Sequence, residues 1–257
     1  MPRRWVSMCC STRLRTSLLF LWLVWALPLS AALPDLWPSK VEPGELKTRL
    51  AVPKNLPKEL QPAVRFQKVF AAILNGEPLD DWRADLEALT KADPADPVAQ
   101  GVSDVARVWQ ARVWMDDMDG VLKKYYQQHV AFPEKLDGLG NSLPETLRAD
   151  PWGQPWVYSL RAPQGFARQT NQRYQLGPSR YPQLSTLAAA LQNRRPPTAS
   201  WKITAHDVAG TRSLQFTSAT TSALIQPGGA VDGCVLLYIG SNWALLAAPD
   251  QLFSVPF

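Results

Sequence analysis

Cysteine is scarce in this 257-residue chain: Cys9, Cys10 and Cys234 are the only three. Cys9 and Cys10 fall in a leader-like N-terminal stretch, so without it Cys234 stands alone and no internal disulfide can form. A single cysteine in the apolar run Cys234–Ile239 reads as a small buried hydrophobe. Histidine is scarcer still, with His129 and His206 in different predicted regions, which leaves no histidine pair for a zinc site. No serine sits in a Gly-x-Ser-x-Gly frame or comparable nucleophile motif. Charged residues make up only 19% of the chain, and the net charge of +5 falls to about +1 once the leader's four arginines are set aside. No basic patch of the kind that holds nucleic acid remains. The sequence therefore offers no catalytic, cofactor-binding or metal-binding set, and we expect a protein that is not an enzyme and needs no cofactor.

Proline and tryptophan are plentiful. The 23 prolines are spread along the chain, marking many turns and boundaries. Of the 11 tryptophans, Trp5, Trp22 and Trp25 lie in the leader. The rest pack in a core or line a ligand surface. Residues 1–32 read as a secretory signal: Arg3, Arg4, Arg13 and Arg15, then the apolar run Leu18–Leu29, then the small residues Ser30-Ala31-Ala32 before a cleavage point. The expected address is export, to the periplasm or cell envelope. The alternative is an uncleaved anchor that keeps the protein at the membrane, although Pro28 interrupts the run.

Past the leader, residues 33–56 are rich in Pro and Lys without a period and read as a linker. Phe66, Val69, Phe70, Ile73 and Leu74 recur at helical spacing, with Pro62 in the first turn and Asn75-Gly76 as the stop. Leu79, Trp82, Leu86 and Leu89 make a second helix, giving a helical hairpin over 57–97. Ala92-Asp93-Pro94-Ala95-Asp96-Pro97 then resembles the end of one tetratricopeptide repeat, but no second copy follows. A third helical stripe runs from Val98 through Val102, Val105, Trp109, Met118 and Tyr125 to His129. A kink or split is expected at Asp116-Asp117-Met118-Asp119-Gly120 and an end at Phe132-Pro133. The three aspartates fall on different helix faces and read as solvated, and His129 suits a helix C-terminus as a cation.

The most distinctive stretch is Asp150-Pro151-Trp152-Gly153-Gln154-Pro155-Trp156-Val157-Tyr158. Asp at the first turn position, Pro at the second and Gly at the fourth suit a tight turn. The aromatic and β-branched residues after it form a strand over Pro155–Leu160, with Arg173–Gly177 as antiparallel partner. Asp150, Pro151, Trp152, Gly153, Pro155 and Tyr158 are thus singled out as a structural motif. Arg194-Arg195-Pro196-Pro197 marks a second linker over 193–200. From 201 to 257 short alternating strands separated by Pro227-Gly228-Gly229, Asp232-Gly233 and Gly240-Ser241-Asn242 read as a small β domain, a sandwich or half-barrel.

Tyr125 or Tyr126, Phe132-Pro133, Leu139, Leu147, Asp150–Tyr158 and Tyr174-Gln175-Leu176-Gly177 occur in one order. With them, residues of about 113–180 resemble the C-terminal domain of the major pseudopilin of type II secretion. The resemblance implies a helix, a loop and an antiparallel hairpin over 98–192. The chain departs from that family in two ways. It has no Gly followed by a Glu-bearing apolar helix, and Pro178-Ser179-Arg180-Tyr181-Pro182 carries no carboxylate where the family binds calcium. Ala223-Leu224-Ile225, Pro227-Gly228-Gly229 and Val231-Asp232-Gly233, followed by two strands, resemble the periplasmic β-domain of inner-membrane secretion proteins that dock on the outer-membrane secretin.

The expected fold is α+β: an N-terminal helical hairpin and long helix, a pseudopilin-like antiparallel hairpin and a C-terminal all-β domain. The resemblances imply a non-enzymatic envelope protein of a type II secretion or type IV pilus-like assembly. Its partners would be a secretin, pseudopilins or platform proteins, with no nucleic acid. The competing expectation is an exported carbohydrate-binding protein or hydrolase whose site the sequence does not reveal.

Overall fold

One helix, Pro97–His129, is the axis on which the rest is hung. The computed structural model describes residues 33–38, 56–91, 93, 95–161, 173–193, 200–208 and 210–257. The expected leader, residues 39–55 of the expected linker, Ala92 and Pro94 of the repeat-like segment, the loop 162–172 and Arg194-Arg195-Pro196-Pro197 lie outside the described residues. Helices and small antiparallel sheets together give the α+β class read from the sequence.

The helical part begins with α1 (Gln61–Leu74) and α2 (Leu79–Leu89). Pro62 sits in the first turn of α1, where its missing N–H is harmless. After the C-cap Asn75, Gly76 takes φ 66°, a conformation that suits glycine. Asp80 and Asp81 lie in the first turn of α2, where negative charge favours the helix dipole. The α2 exit is fastened to the third helix: the Thr90 carbonyl accepts from Ser103 Oγ at 2.7 Å and Arg107 Nη2 at 3.1 Å.

That third helix, α3 (Pro97–His129), runs for 33 residues. The Asp96 side chain caps it by accepting from Val98 N at 2.9 Å. The expected break at Asp116–Gly120 does not occur. Gly120 costs about 1 kcal/mol relative to Ala, but the turns on both sides of it are buried by Met115, Met118 and Leu122, and that packing outweighs one glycine. The helix ends at Val130, held at φ 58° with its N–H on Tyr126 O.

Two sheets make the C-terminal part. One is β3 (Lys202–Val208), β4 (Thr211–Thr217) and β5 (Ser222–Ile225), in that order. The other is β6 (Ala230–Val231), β7 (Cys234–Ile239), β8 (Trp243–Ala248) and β9 (Gln251–Pro256). Leu214 and Phe216 of the first sheet meet Leu236, Ala244, Leu246 and Phe253 of the second in a sandwich core that also buries Cys234. The opposite face of the second sheet covers the helices: Leu237, Trp243, Leu245, Ala247 and Leu252 share a core with Phe66, Phe70, Val102 and Trp109. Burial on both faces explains why Trp243–Ala247 is apolar throughout and does not alternate.

A register shift between Leu236 and Tyr238 leaves Leu237 as the extra residue of a bulge. Leu237 is aimed at Gly101 of α3, where a Cβ would lie 2.2 Å from Leu237 Cδ2. Gly101 is thus the notch that lets helix and sheet approach. The same joint is closed further along α3, where Trp109 Nε1 donates to Asp250 O at 2.7 Å and Arg112 Nη2 to Asp250 Oδ2 at 2.9 Å. Ala32–Phe257 is one compact unit. The expected breaks at 97/98 and near 200 are therefore crossed by shared cores.

The expected linker also needs correction at its start. Pro34–Leu36 forms a single 3-10 turn, and Trp37 is wholly buried. Trp37 stacks on Trp243 with ring centroids 5.9 Å apart, and its Nε1 donates to Ala63 O at 3.3 Å. Ser254 N donates to Trp37 O at 2.7 Å, and Ser254 Oγ to Pro34 O at 2.8 Å. Among the described residues no helix is long and apolar enough to cross a membrane.

Candidate functional site

The second half of α3 carries its own core. Ala111, Met115, Met118 and Leu122 pack against Leu139, Leu143, Leu147, Trp156 and Leu176. The connecting loop is built from short 3-10 turns, over Leu136–Ser142 with a break at Gly140 (φ 53°) and over Glu145–Leu147, which drop Leu139 and Leu147 onto the helix. The loop delivers the chain to Asp150.

Asp150 is 3% exposed and organises the turn through both oxygens. Its Oδ1 accepts from Trp152 N at 3.0 Å and Gln154 N at 2.8 Å. Its Oδ2 accepts from Ser179 N and Ser179 Oγ, each at 2.9 Å. Its backbone closes the turn, with Gly153 N donating to Asp150 O at 2.8 Å and Asp150 N to Gln154 O at 2.7 Å. Four donors on one carboxylate offset the cost of burying it. Gly153 leaves the turn at φ 75°, in the left-handed region where side chains are strained. Pro151 and Trp152 are half-buried and Pro155 is exposed.

The strand that follows, β1 (Val157–Arg161), pairs antiparallel with β2 (Arg173–Gly177). Trp156 Nε1 donates to Leu147 O at 2.9 Å and Tyr158 OH to Pro133 O at 2.8 Å, so both aromatics tie the hairpin to the loop below α3. Tyr174 OH donates to Asp119 Oδ1 of α3. Burial, this bond and the neighbouring carboxylate all raise the Tyr174 phenol far above its ordinary range, so it stays protonated. The segment after β2 is fastened in turn: Arg180 Nη1 donates to Asp104 Oδ1 at 3.3 Å, and Trp152 meets Tyr181 edge-on at 5.7 Å.

The three aspartates on α3 do face different ways, but two of them are joints. Asp117 Oδ2 accepts from Arg83 Nη2 of α2 at 2.7 Å. Asp119 takes Tyr174 and, at 2.6 Å, Lys123 Nζ. Asp116 makes no hydrogen bond among the described residues. Burial, then repulsion from Asp119 and Asp117, raises its carboxyl above the ordinary value. It lines a cleft of about 830 Å³ between α3, β2 and Pro182–Thr186, whose walls include Met115, Phe132, Tyr174, Arg161 and Arg173. A smaller cavity of about 270 Å³ lies beside it, sharing Ser185 and Ala189.

His129 and His206 stay apart. His129 sits at the α3 terminus with its ring 4.0 Å from that of Tyr125, and His206 is exposed on β3. Among the described residues no three His, Cys, Asp or Glu gather as ligands for a metal ion. Burial pushes the Cys234 thiol up to about 11, which suppresses its thiolate at neutral pH. Sequence reasoning located the turn but missed Ser179, because a serine after Leu-Gly carries no local signal of a partner 29 positions back. It also missed the cleft, whose residues come from elements far apart in the chain. No family model matches the chain, and neither a curated protein nor a solved structure is detectably similar to it.

Proposed function

We propose that this chain is a non-enzymatic exported protein of the cell envelope, serving a type II secretion or type IV pilus-like assembly through protein contacts. The observation that carries the reading is the order in which α3 is dressed. Its C-terminal half bears loop, Asp150 turn and β1–β2 hairpin around one core, the arrangement the pseudopilin resemblance implies. Its N-terminal half packs against the β6–β9 sheet of the C-terminal part, the region that resembles the secretin-docking β-domain. Partners of this reading are a secretin, pseudopilins or platform proteins, and membrane association follows if the leader is retained. The test is co-purification of the tagged protein with those components, together with secretion or piliation in a deletion strain. Loss of secretion and recovery of a secretin, pseudopilin or platform protein support the reading. Normal secretion with no such partner overturns it.

A second reading, an exported carbohydrate-binding protein or hydrolase, draws on one observation. The cleft combines the rings of Phe132 and Tyr174 with the carboxyl of Asp116, which is raised above its ordinary value. It requires binding or turnover on a polysaccharide panel, abolished by Asp116→Asn.

A further inference from the structure

We propose that the cleft takes up an extended, acidic segment of a partner protein as an added strand on β2, with the partner's carboxylates held by Arg161 and Arg173. The inference deepens the protein-contact reading above and rests on it, but it requires no particular secretion component.

The first support is the edge itself. β2 pairs with β1 on one side only, and among the described residues no strand completes the other side. In an antiparallel pair, alternate residues turn both N–H and C=O away from the partner, so the outer edge of β2 presents unused donors and acceptors. The second is position. Four consecutive β2 residues, Arg173 to Leu176, line the cleft, as an edge running along it must. Pro182–Thr186 forms another wall of this cleft of about 830 Å³ and meets β2 toward the strand's C-terminal end, where Gln175 Nε2 donates to Pro182 O at 3.3 Å, so an added strand enters beside Arg173 and Tyr174.

Charge decides the occupant. Arg161 and Arg173 stand directly opposite each other across β1 and β2. Like charges in that relation are destabilising. Among the described residues no carboxylate relieves them: Arg161 Nη2 donates to the neutral Gln175 Oε1 at 3.0 Å, and Arg173 has no hydrogen bond or ion pair. Both lie on the outward face of the hairpin with Ser159, while Tyr158 and Leu176 face α3. An added strand would therefore set alternate acidic side chains beside the two guanidiniums. Its other side chains would point down toward Met115, Leu184 and Asp116. An apolar residue suits the first two, and a hydroxyl donor suits the carboxylate. Self-pairing of two β2 edges would supply no carboxylate to Arg161 or Arg173, which disfavours a second copy as the occupant.

The test is fluorescence anisotropy with a labelled, capped pentapeptide, Val-Glu-Thr-Glu-Val, against the purified chain. The peptide Val-Lys-Thr-Lys-Val is the charge control and inorganic phosphate the competitor. We expect saturable binding of the acidic peptide, little of the basic one, and slowed amide exchange at 173–176 on binding. The exposed pair R161E/R173E should keep its melting temperature, weaken the acidic peptide by about tenfold or more and improve the basic one. Absence of binding, equal binding of both peptides, or unchanged amide exchange overturns the proposal. So does full displacement by phosphate, which would mark a small-anion site, or a β2-mediated dimer that excludes the peptide. Because no secretion component is used, this result is separable from the co-purification result above.

Discussion

Asp150 and Ser179 stand 29 positions apart, and a single oxygen joins them twice: Asp150 Oδ2 accepts from the backbone N–H and the hydroxyl of Ser179, each at 2.9 Å. The other oxygen holds the turn. One buried carboxylate thus fixes both the entry to β1 and the exit from β2. Asp150→Asn keeps the size but replaces an acceptor oxygen with a donor facing donors. It should cost about 3 kcal/mol or more, whereas Ser179→Ala, which keeps the backbone bond, should cost about 1 kcal/mol. Urea denaturation followed by tryptophan fluorescence measures both.

Gly153 holds φ 75°, yet a Cβ there would meet nothing within 4 Å. The penalty for a side chain is therefore backbone strain without a clash. Gly153→Val should destabilise by about 2 kcal/mol, and Gly153→Asn by clearly less, because Asn tolerates this region. Equal melting temperatures for the two variants would contradict this account of the turn.

Gln67 lies fully buried on α1, and neither its side-chain oxygen nor its nitrogen has a hydrogen-bond partner among the described residues. Replacing an unsatisfied amide with an apolar side chain of similar volume removes a desolvation penalty. Gln67→Leu should raise stability by about 1–3 kcal/mol. A lower melting temperature for this variant would refute the assignment.

Arg112 and Asp250 form an unequal pair: the Arg112 side chain is 6% exposed and that of Asp250 43%. Removing the outer partner strands a buried cation over Trp109, its ring 4.5 Å away. Asp250→Ala should then cost about 3 kcal/mol. Arg112→Met leaves behind a carboxylate that water can reach, and should cost less. The comparison of the two unfolding midpoints tests the asymmetry.

The carboxyl of Asp116 is raised above its ordinary 3.8, first by burial and then by repulsion from Asp119 and Asp117. The folded state therefore holds this proton more tightly than the unfolded state. Stability from this group is greatest below 3.8 and falls as pH rises through the raised folded value. Asp116→Asn should melt higher than the parent at about pH 7, with the gain gone at about pH 3. A gain of equal size at both would exclude ionisation as the cause.

Much of the scaffold was legible because its signals are local. Phe66, Phe70 and Ile73 keep helical spacing, Asn75-Gly76 marks a helix end, and Asp150-Pro151-Trp152-Gly153 specifies its own turn. What could not be read depends on which apolar surface meets which. Trp37 looks like one aromatic in a proline-rich stretch, and nothing near it in sequence names Trp243 as its neighbour. Leu237 reads as an ordinary strand residue until the bulge turns it onto Gly101. The cores shared across 97/98 and 200 escaped for the same reason, since an apolar stripe looks alike whether it covers its own sheet or a helix from another segment. The cleft was invisible because β2, α3 and Pro182–Thr186 meet only after folding.

The bond between Ser254 and Trp37 spans 217 positions. Trp37 emerges early in synthesis, and the strand that holds it emerges long afterwards. Throughout that interval a large apolar ring has no cage, and the helical core it completes stays open. Contacts of such separation slow folding. The core around Trp37 thus stays unfinished until β9 arrives to close it.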